Sequence, residues 1–525
     1  MARTRLVTLG LGLLLSTACT RNGGPMEFFA PPPPPEVAYV SPDGGDLADG
    51  TEEAPFASLR RALSTTRPRI VLLPGVFPEP EVVVNRPVRI EGSQPGAATL
   101  QGHLFITSEQ VQIQDLEITD GLAVHLAQDF HVQNATISAS RQEDTISLVS
   151  SRGRLRDLNV TCGQQTCLQT TTATVRINGL RARPQSNSKR ILRVESSSVA
   201  IVGLYAQGGD ISQLQAGLRS HLSVRSATLA GSLGNGLVAV QDATVKAQDL
   251  HIVGPQRFAV LVQHAQLELR HSTIEASHDV AVGVAGGVLT VRSSTITGAS
   301  AGALSLSKNA GVLAKVTLID GVIRHRGFDG ALVSGGRLTV FGTRFEGEGP
   351  PSTSGGDAII AHGVDAELDL HGVHILRPAG FGVVFNADAI GAVGGRIIEP
   401  GRGGVLIDDV ALEPVTATAL HVQGCRGGSG VVALKTPSVL VQGGSVTGCS
   451  EAGYLAGGGS TVQVTGARAL NNREYGFAAF GGSTLRVRSS TASGSRWSSF
   501  ASCGDGARIE IGPGVVLDGP SVTCP

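Results

Sequence analysis

The sequence predicts an all-β solenoid of short parallel strands, each rung stacked on the next. Three observations predict it. The stretch from Ser198 to Lys308 is five copies of one pattern, starting at Ser198, Ser220, Ala243, Ala265 and Gly287, so the repeat is 22 or 23 residues long. A fixed period of this size marks a stacked array. Apolar residues fall in columns: Leu222, Val245, Leu267, Leu289; then Leu229, Ile252, Ile274, Ile296; then Val238, Val260, Val282, Leu304, with Val240, Val262, Val284, Leu306 two places on. Around each column hydrophobicity alternates, and Gly, Ser, Asn and Asp separate the runs, which is strand period with turn chemistry between. The composition agrees: 70 glycines and 4% aromatics in 525 residues suit many tight turns around a narrow aliphatic core. Three strands per copy, each pairing with its equivalent in the next, make three short parallel sheets around one core, a single-stranded parallel β-helix. About 18 rungs at ~4.8 Å each give a rod on the order of 85 Å long.

The chain begins MARTRLVTLGLGLLLSTACT: two arginines, an apolar run, then small residues up to Cys19. That layout is a secretory signal peptide over residues 1–18. Leu15-Ser16-Thr17-Ala18-Cys19 resembles the lipobox of bacterial lipoproteins, with Ser16 where Leu is commoner. The resemblance implies lipidation of Cys19. With Thr20 rather than Asp after the cysteine, it also implies an outer-membrane address. Several acyl chains on one residue anchor stably where one does not. Residues 19–36 then form a tether, and its five prolines, Pro31 to Pro35, favour an extended polyproline II spacer. The expected membrane contact is this anchor only, since no later apolar run reaches the ~20 residues of a span.

Residues 37–104 read as a cap with the first rungs. Phe56, Leu59 and Leu63 fall on one helical face with Pro55 near the first turn. A capping helix there covers the open core and edge of the first rung. The Gly/Asp-rich loop with Gly50-Thr51, this helix, the strand ending Pro74-Gly75 and the strand ending Gly92 resemble the DUF1565-type entry module of bacterial β-helix proteins. From Tyr39 to the end the chain resembles the right-handed parallel β-helix proteins of the pectin-lyase-like fold, with residues 105–525 as its repeats. Asp43, Asp46 and Asp49 read as turn residues.

The net charge of −1 gives no overall basic field, so nucleic acid is not an expected partner. Setting Cys19 aside, six cysteines are left, and export permits disulfides. Cys162 and Cys167 flank one loop; Cys425 and Cys449 share the motifs HVQGC and SVTGC, 24 residues apart; Cys503 and Cys524 are one rung apart. Stacked positions ~5 Å apart fit disulfide geometry, so the expected pairs are Cys162–Cys167, Cys425–Cys449 and Cys503–Cys524.

The resemblance includes lyases, polygalacturonases and pectin esterases, whose motifs are absent here apart from Asp408-Asp409. No catalytic residue is therefore assigned, and no small-molecule cofactor is expected. Asp365, Asp388 and Asp409 sit one repeat apart, and oxygen ligands on adjacent rungs suit Ca²⁺. Arg377, Arg396 and Arg402 are the candidate bases nearby. Asp242 in the same column favours the plainer reading, a turn needing unusual φ. Tyr454, Phe477 and Phe500 recur every 23 residues as a ladder. Counted from the preceding glycine, as in GLVAV and GALSL, Tyr454 and Phe477 point outward. With Trp497, Arg473 and Arg496 they would form a platform for sugar rings or a protein partner. A slip of one residue would turn the ladder into core. The expected function is a lipid-anchored envelope β-helix, non-catalytic, binding a polysaccharide or protein. The alternatives are a calcium-dependent lyase or hydrolase on acidic glycans, and a purely structural spacer.

Overall fold

The computed structural model describes residues 36–139, 143–184, 188–276, 278–298, 301–326, 328–348 and 356–524. The proposed signal peptide, Cys19 and the tether up to Pro35 lie outside them. The described chain is a parallel solenoid with one short helix, Leu59–Leu63. One sheet takes one strand from each turn, 20 in all, beginning with Glu81–Val84 and His103–Ile106 and ending with Ser498–Cys503 and Ser521–Cys524. We call it the lateral sheet. The other two predicted sheets run on into each other as one 32-stranded ribbon bent at a corner.

That corner is made by one residue per turn in the left-handed region, such as Asn134 (φ 48°), Asp157 (φ 50°), Ser226 (φ 54°) and Ala419 (φ 48°), or by glycine, as at Gly203 and Gly443. Asn and Asp tolerate this conformation better than other side-chain-bearing residues because they bond their own backbone. In several turns the two strands are therefore continuous across the corner, as in His221–Ala230.

The first two predicted columns keep their register: Leu222 pairs with Val245, Leu267 and Leu289 in turn, and Leu229 with Ile252, Ile274 and Ile296. The third needs correction. Val260 pairs with Leu237, and Val262 with Ala239, so Val238 and Val240 belong to the outward face. The reason is a column of small residues just before the core residue, running Gly236, Ala259, Ala281, Ala303 and on to Gly382, Gly404, Gly430, Gly453 and Gly476. A Cβ on Gly430 would strike the Val446 side chain, and one on Gly382 would sit 2.7 Å from Ile397. Where Ala303 fills this slot, Gly302 lies one residue earlier. Counting from the glycine then gives a different answer in different turns.

At the N-terminal end, Phe56, Leu59 and Leu63 are buried in the core. The helix starts later than the sequence suggests, because Phe56 forms a bridge to Val40 and Ser58 is the cap, its Oγ accepting the Arg61 N–H at 3.1 Å. Asp46 accepts from the Ala57 and Ser58 N–H groups at 3.1 and 3.0 Å. Glu79 accepts from Leu59 and Arg60 at 2.6 and 3.0 Å, which places a carboxylate on the positive helix end. These contacts tie the cap to the first turns.

Candidate functional site

The charge that is nearly zero overall is concentrated locally. Between Arg152 and Arg193 there are nine cationic residues and one acid, Asp157, a local charge of +8. The fold winds this segment around about two turns, so its cations form a collar. Arg152, Arg154 and Arg156 lie on one strand, and Arg176 stacks on Arg154 in register. Like charges on adjacent rungs repel, which makes the collar an attractive site for a polyanion.

On the lateral sheet the collar borders a cleft of about 610 Å³. Its floor is one outward column over five rungs: Phe105, Ala123, Ser147, Gln169 and Arg193, each the register partner of the next. Along one edge stand Asp144, Thr166 and Arg190; His103, His125, Glu143, Gln165 and Lys189 also line it. The groups are held by their neighbours. Lys189 Nζ donates to Gln165 Oε1 at 2.9 Å, and Arg190 Nε donates to Gln215 Oε1 at 2.5 Å. Arg193 pairs with Glu195. The His125 ring meets Phe105 edge-on, with centroids 4.7 Å apart, and His103 Nδ1 lies 3.0 Å from the Asp120 carbonyl oxygen.

Burial sets the protonation of the rim. It raises the Asp144 carboxyl above the usual range, opposed by the Thr166 N–H at 3.0 Å and by Arg193 and Arg190. It also lowers His125, with the charge of His103 adding to the effect. At neutral pH the cleft thus presents a neutral His125 beside fixed cations. An apolar ring, several NH donors and the cations Lys189, Arg190 and Arg193, partly offset by Glu143, Asp144 and Glu195, suit a hydroxyl-rich acid such as a uronate chain.

None of these residues was singled out by sequence reasoning. The local count of arginines would have found the collar. His103, His125 and Asp144 gave no signal, because only stacking brings them to one face.

The predicted sites fare differently. The disulfides Cys162–Cys167 and Cys425–Cys449 are present. Cys503 is disulfide-bonded and its register partner is Cys524, whose side chain lies outside the described residues.

The aromatic platform is overturned. Tyr454 and Phe500 pair in register with Phe477 on either side, and the column continues back through Val431, Val405 and Val383 to Leu237. All three rings are buried, at 1%, 0% and 3% exposure for Tyr454, Phe477 and Phe500, and they stack with centroids 5.2 Å apart. Here glycine fills the small slot directly before the core residue, so the first residue after it points inward. Trp497, Arg473 and Arg496 are exposed, and the aromatic beside Trp497 is Tyr475 at 5.7 Å.

The calcium column does not assemble either. Asp408 pairs with Asn386, so the register continued by one residue sets Asp409 opposite Ala387, not Asp388. Asp388 (φ 64°) and Asp409 (φ 56°) are left-handed corner residues. Asp388 Oδ1 accepts the Ala411 N–H at 2.7 Å, and Asp365 pairs with Lys308 at 2.9 Å. Arg377 is another left-handed corner, Arg396 lies in the strand Ile390–Ile398, and Arg402 lies in the turn before Val405. Among the described residues no group of three His, Cys, Asp or Glu side chains converges.

Residues 357–512 match the family model described as "Right handed beta helix region". The fold is a right-handed parallel β-helix. A search of curated proteins finds no match. Among solved structures, the chain is similar to Dettilon tailspike protein (gp208), at 13% identity and TM-score 0.35 over 61% of this chain and 68% of that one. It is similar to the GH136 lacto-N-biosidase from Eubacterium ramulus, at 11% identity and TM-score 0.32 over 59% of this chain and 64% of that one. A third is a mannuronic acid specific polysaccharide family 6 lyase from human gut microbiota, at 10% identity and TM-score 0.28 over 53% and 80%. None of these likenesses bears on what this β-helix binds.

Proposed function

We propose that this β-helix binds an acidic polysaccharide at the cell envelope, without cleaving it, and that the collar and the lateral cleft are where it binds. The observation that supports the reading is the +8 segment Arg152–Arg193 bordering a cleft that also offers Phe105, His103 and His125. The signal-peptide pattern and the lipobox-like sequence at Cys19 support a lipid-anchored protein of the outer membrane, held off the bilayer by its proline tether. Electrostatic contact with a polyanion weakens with salt, since exposed charges are screened beyond ~8 Å at physiological ionic strength.

The test is binding of the full chain to polygalacturonate, alginate and a neutral glucan, with and without added salt. Salt-sensitive binding to the two acidic polymers is expected, and Lys189→Gln/Arg190→Gln/Arg193→Gln should weaken it by about tenfold or more, ~1.4 kcal/mol. Equal binding of the neutral glucan, or an unaffected variant, would remove the collar as the site. New reducing ends or unsaturated products in the same tubes would turn the reading to a lyase or hydrolase.

A further inference from the structure

From Phe258 onward the outer face of the lateral sheet is mostly apolar, and the two strands before it, Ser212–Gly217 and Asn235–Val240, are already free of charged residues. Eleven successive strands, from Val260–Gln263 to Ser498–Cys503, place three positions each on this face: a leading edge, a centre and a trailing flank. The central column includes Leu261, Leu332, Ile360, Leu406, Val432 and Leu455, all at least partly open to solvent. The register across these strands is unbroken. Across all three columns there is no Lys or Arg, and the only acids are Asp329, Asp357 and Asp408. Edge strands and outward faces in soluble proteins are usually kept open by such charges, so their absence over a long flat surface marks an interface.

We infer that this face pairs with the same face of a second copy, with the two rods antiparallel. Its size fits. Ten rung spacings of ~4.8 Å by five strand residues of ~3.3 Å cover about 800 Å² per copy, about 1,600 Å² in total, the size of a stable specific interface.

Charge chooses the direction. A parallel pair would lay one collar of Arg152–Arg193 against the other. An antiparallel pair with its two-fold axis at Val384 keeps both collars, and both clefts, outside the overlap. Counted in rungs from the axis, Asp408 meets His362 of the second copy. Asp408 is half-buried and His362 is exposed, so this register sets a carboxylate against an imidazole on each side of the axis. In the same register Leu332 faces Val432 of the second copy, once on each side of the axis, as an isologous interface requires.

The test is sedimentation equilibrium of the full chain carrying Cys19→Ser, with Leu332→Lys, Val432→Glu and the double variant. A concentration-dependent dimer is expected. Each single variant should weaken it about 100-fold or more, by burying an unpaired charge. The double variant should recover most of that loss, because the introduced lysine and the introduced glutamate face each other only when the rods run antiparallel. Recovery also shows that the single variants fold. A wild type that stays monomeric at about 100 µM, single variants that dimerise normally, or a double variant no better than the singles would each overturn the proposal. The collar variants leave this equilibrium unchanged, so the outcome is independent of glycan binding.

Discussion

Phe477 and Trp497 are 20 residues apart, and opposite predictions for them follow from one point of register. Phe477 is fully buried, with a stacked ring on each side, Tyr454 and Phe500, both 5.2 Å away. Truncating a buried Phe to Ala costs ~3–5 kcal/mol, and the loss of two stacked neighbours puts Phe477→Ala near the upper part of that range. Trp497 is 53% exposed and keeps one edge-on contact with Tyr475 at 5.7 Å. Trp497→Ala should cost less than ~1 kcal/mol. In a solenoid each turn contacts its neighbours, so the damage from Phe477→Ala is concentrated in the last rungs. The assay is urea unfolding together with amide exchange over residues 452–503. Selective loss of protection in those strands for Phe477→Ala, with Trp497→Ala unchanged, is expected. A Phe477→Ala variant that loses less than ~1 kcal/mol, or less than Trp497→Ala, would refute the inward register.

Three other outcomes are expected. The Asp357 carboxyl is raised by burial, although its Oδ1 accepts the Phe381 N–H at 2.5 Å. Its folded value lies above its unfolded one, so the native state holds the proton longer, and stability falls as pH rises from the ordinary carboxylate value near ~4 through the raised one. Asp357→Asn, which keeps an acceptor for Phe381, should flatten that fall in thermal unfolding across pH 4 to 7; an unchanged slope would show that other groups cause it. Replacing both Cys425 and Cys449 by Ala opens a 24-residue loop and should cost ~3 kcal/mol, measured as the shift in denaturant midpoint against the oxidised wild type. Ala419 is exposed and holds φ at 48° at the corner, so Ala419→Gly should stabilise the protein by ~1 kcal/mol in the same measurement, against the usual sign for glycine.

The architecture was legible because a solenoid writes its geometry as a period. Leu222, Val245, Leu267 and Leu289 had to stack, since nothing else buries one apolar residue per 22 or 23. Cys425 and Cys449 could be paired because equal motifs one rung apart become neighbours. The lateral strand was harder. Its small slot is filled by Gly in some turns and by Ala in others, so Tyr454 and Phe477 were placed one residue out of register and on the wrong face. The calcium column failed for a related reason: a turn of variable length set Asp409 opposite Ala387. The collar was written in the sequence as a run of arginines, but a whole-chain charge of −1 hides it.

The sequence by itself determined the repeat, the parallel stacking and the core columns of the corner sheets, because period-two burial over a fixed spacing leaves one solution. Tertiary structure decided which face each lateral residue takes, since one shifted residue reverses every side chain that follows. It also decided what meets across rungs. His103, His125, Asp144 and Arg190 are separated by 19 to 87 positions in the chain, and only the pitch of the helix brings them to one cleft.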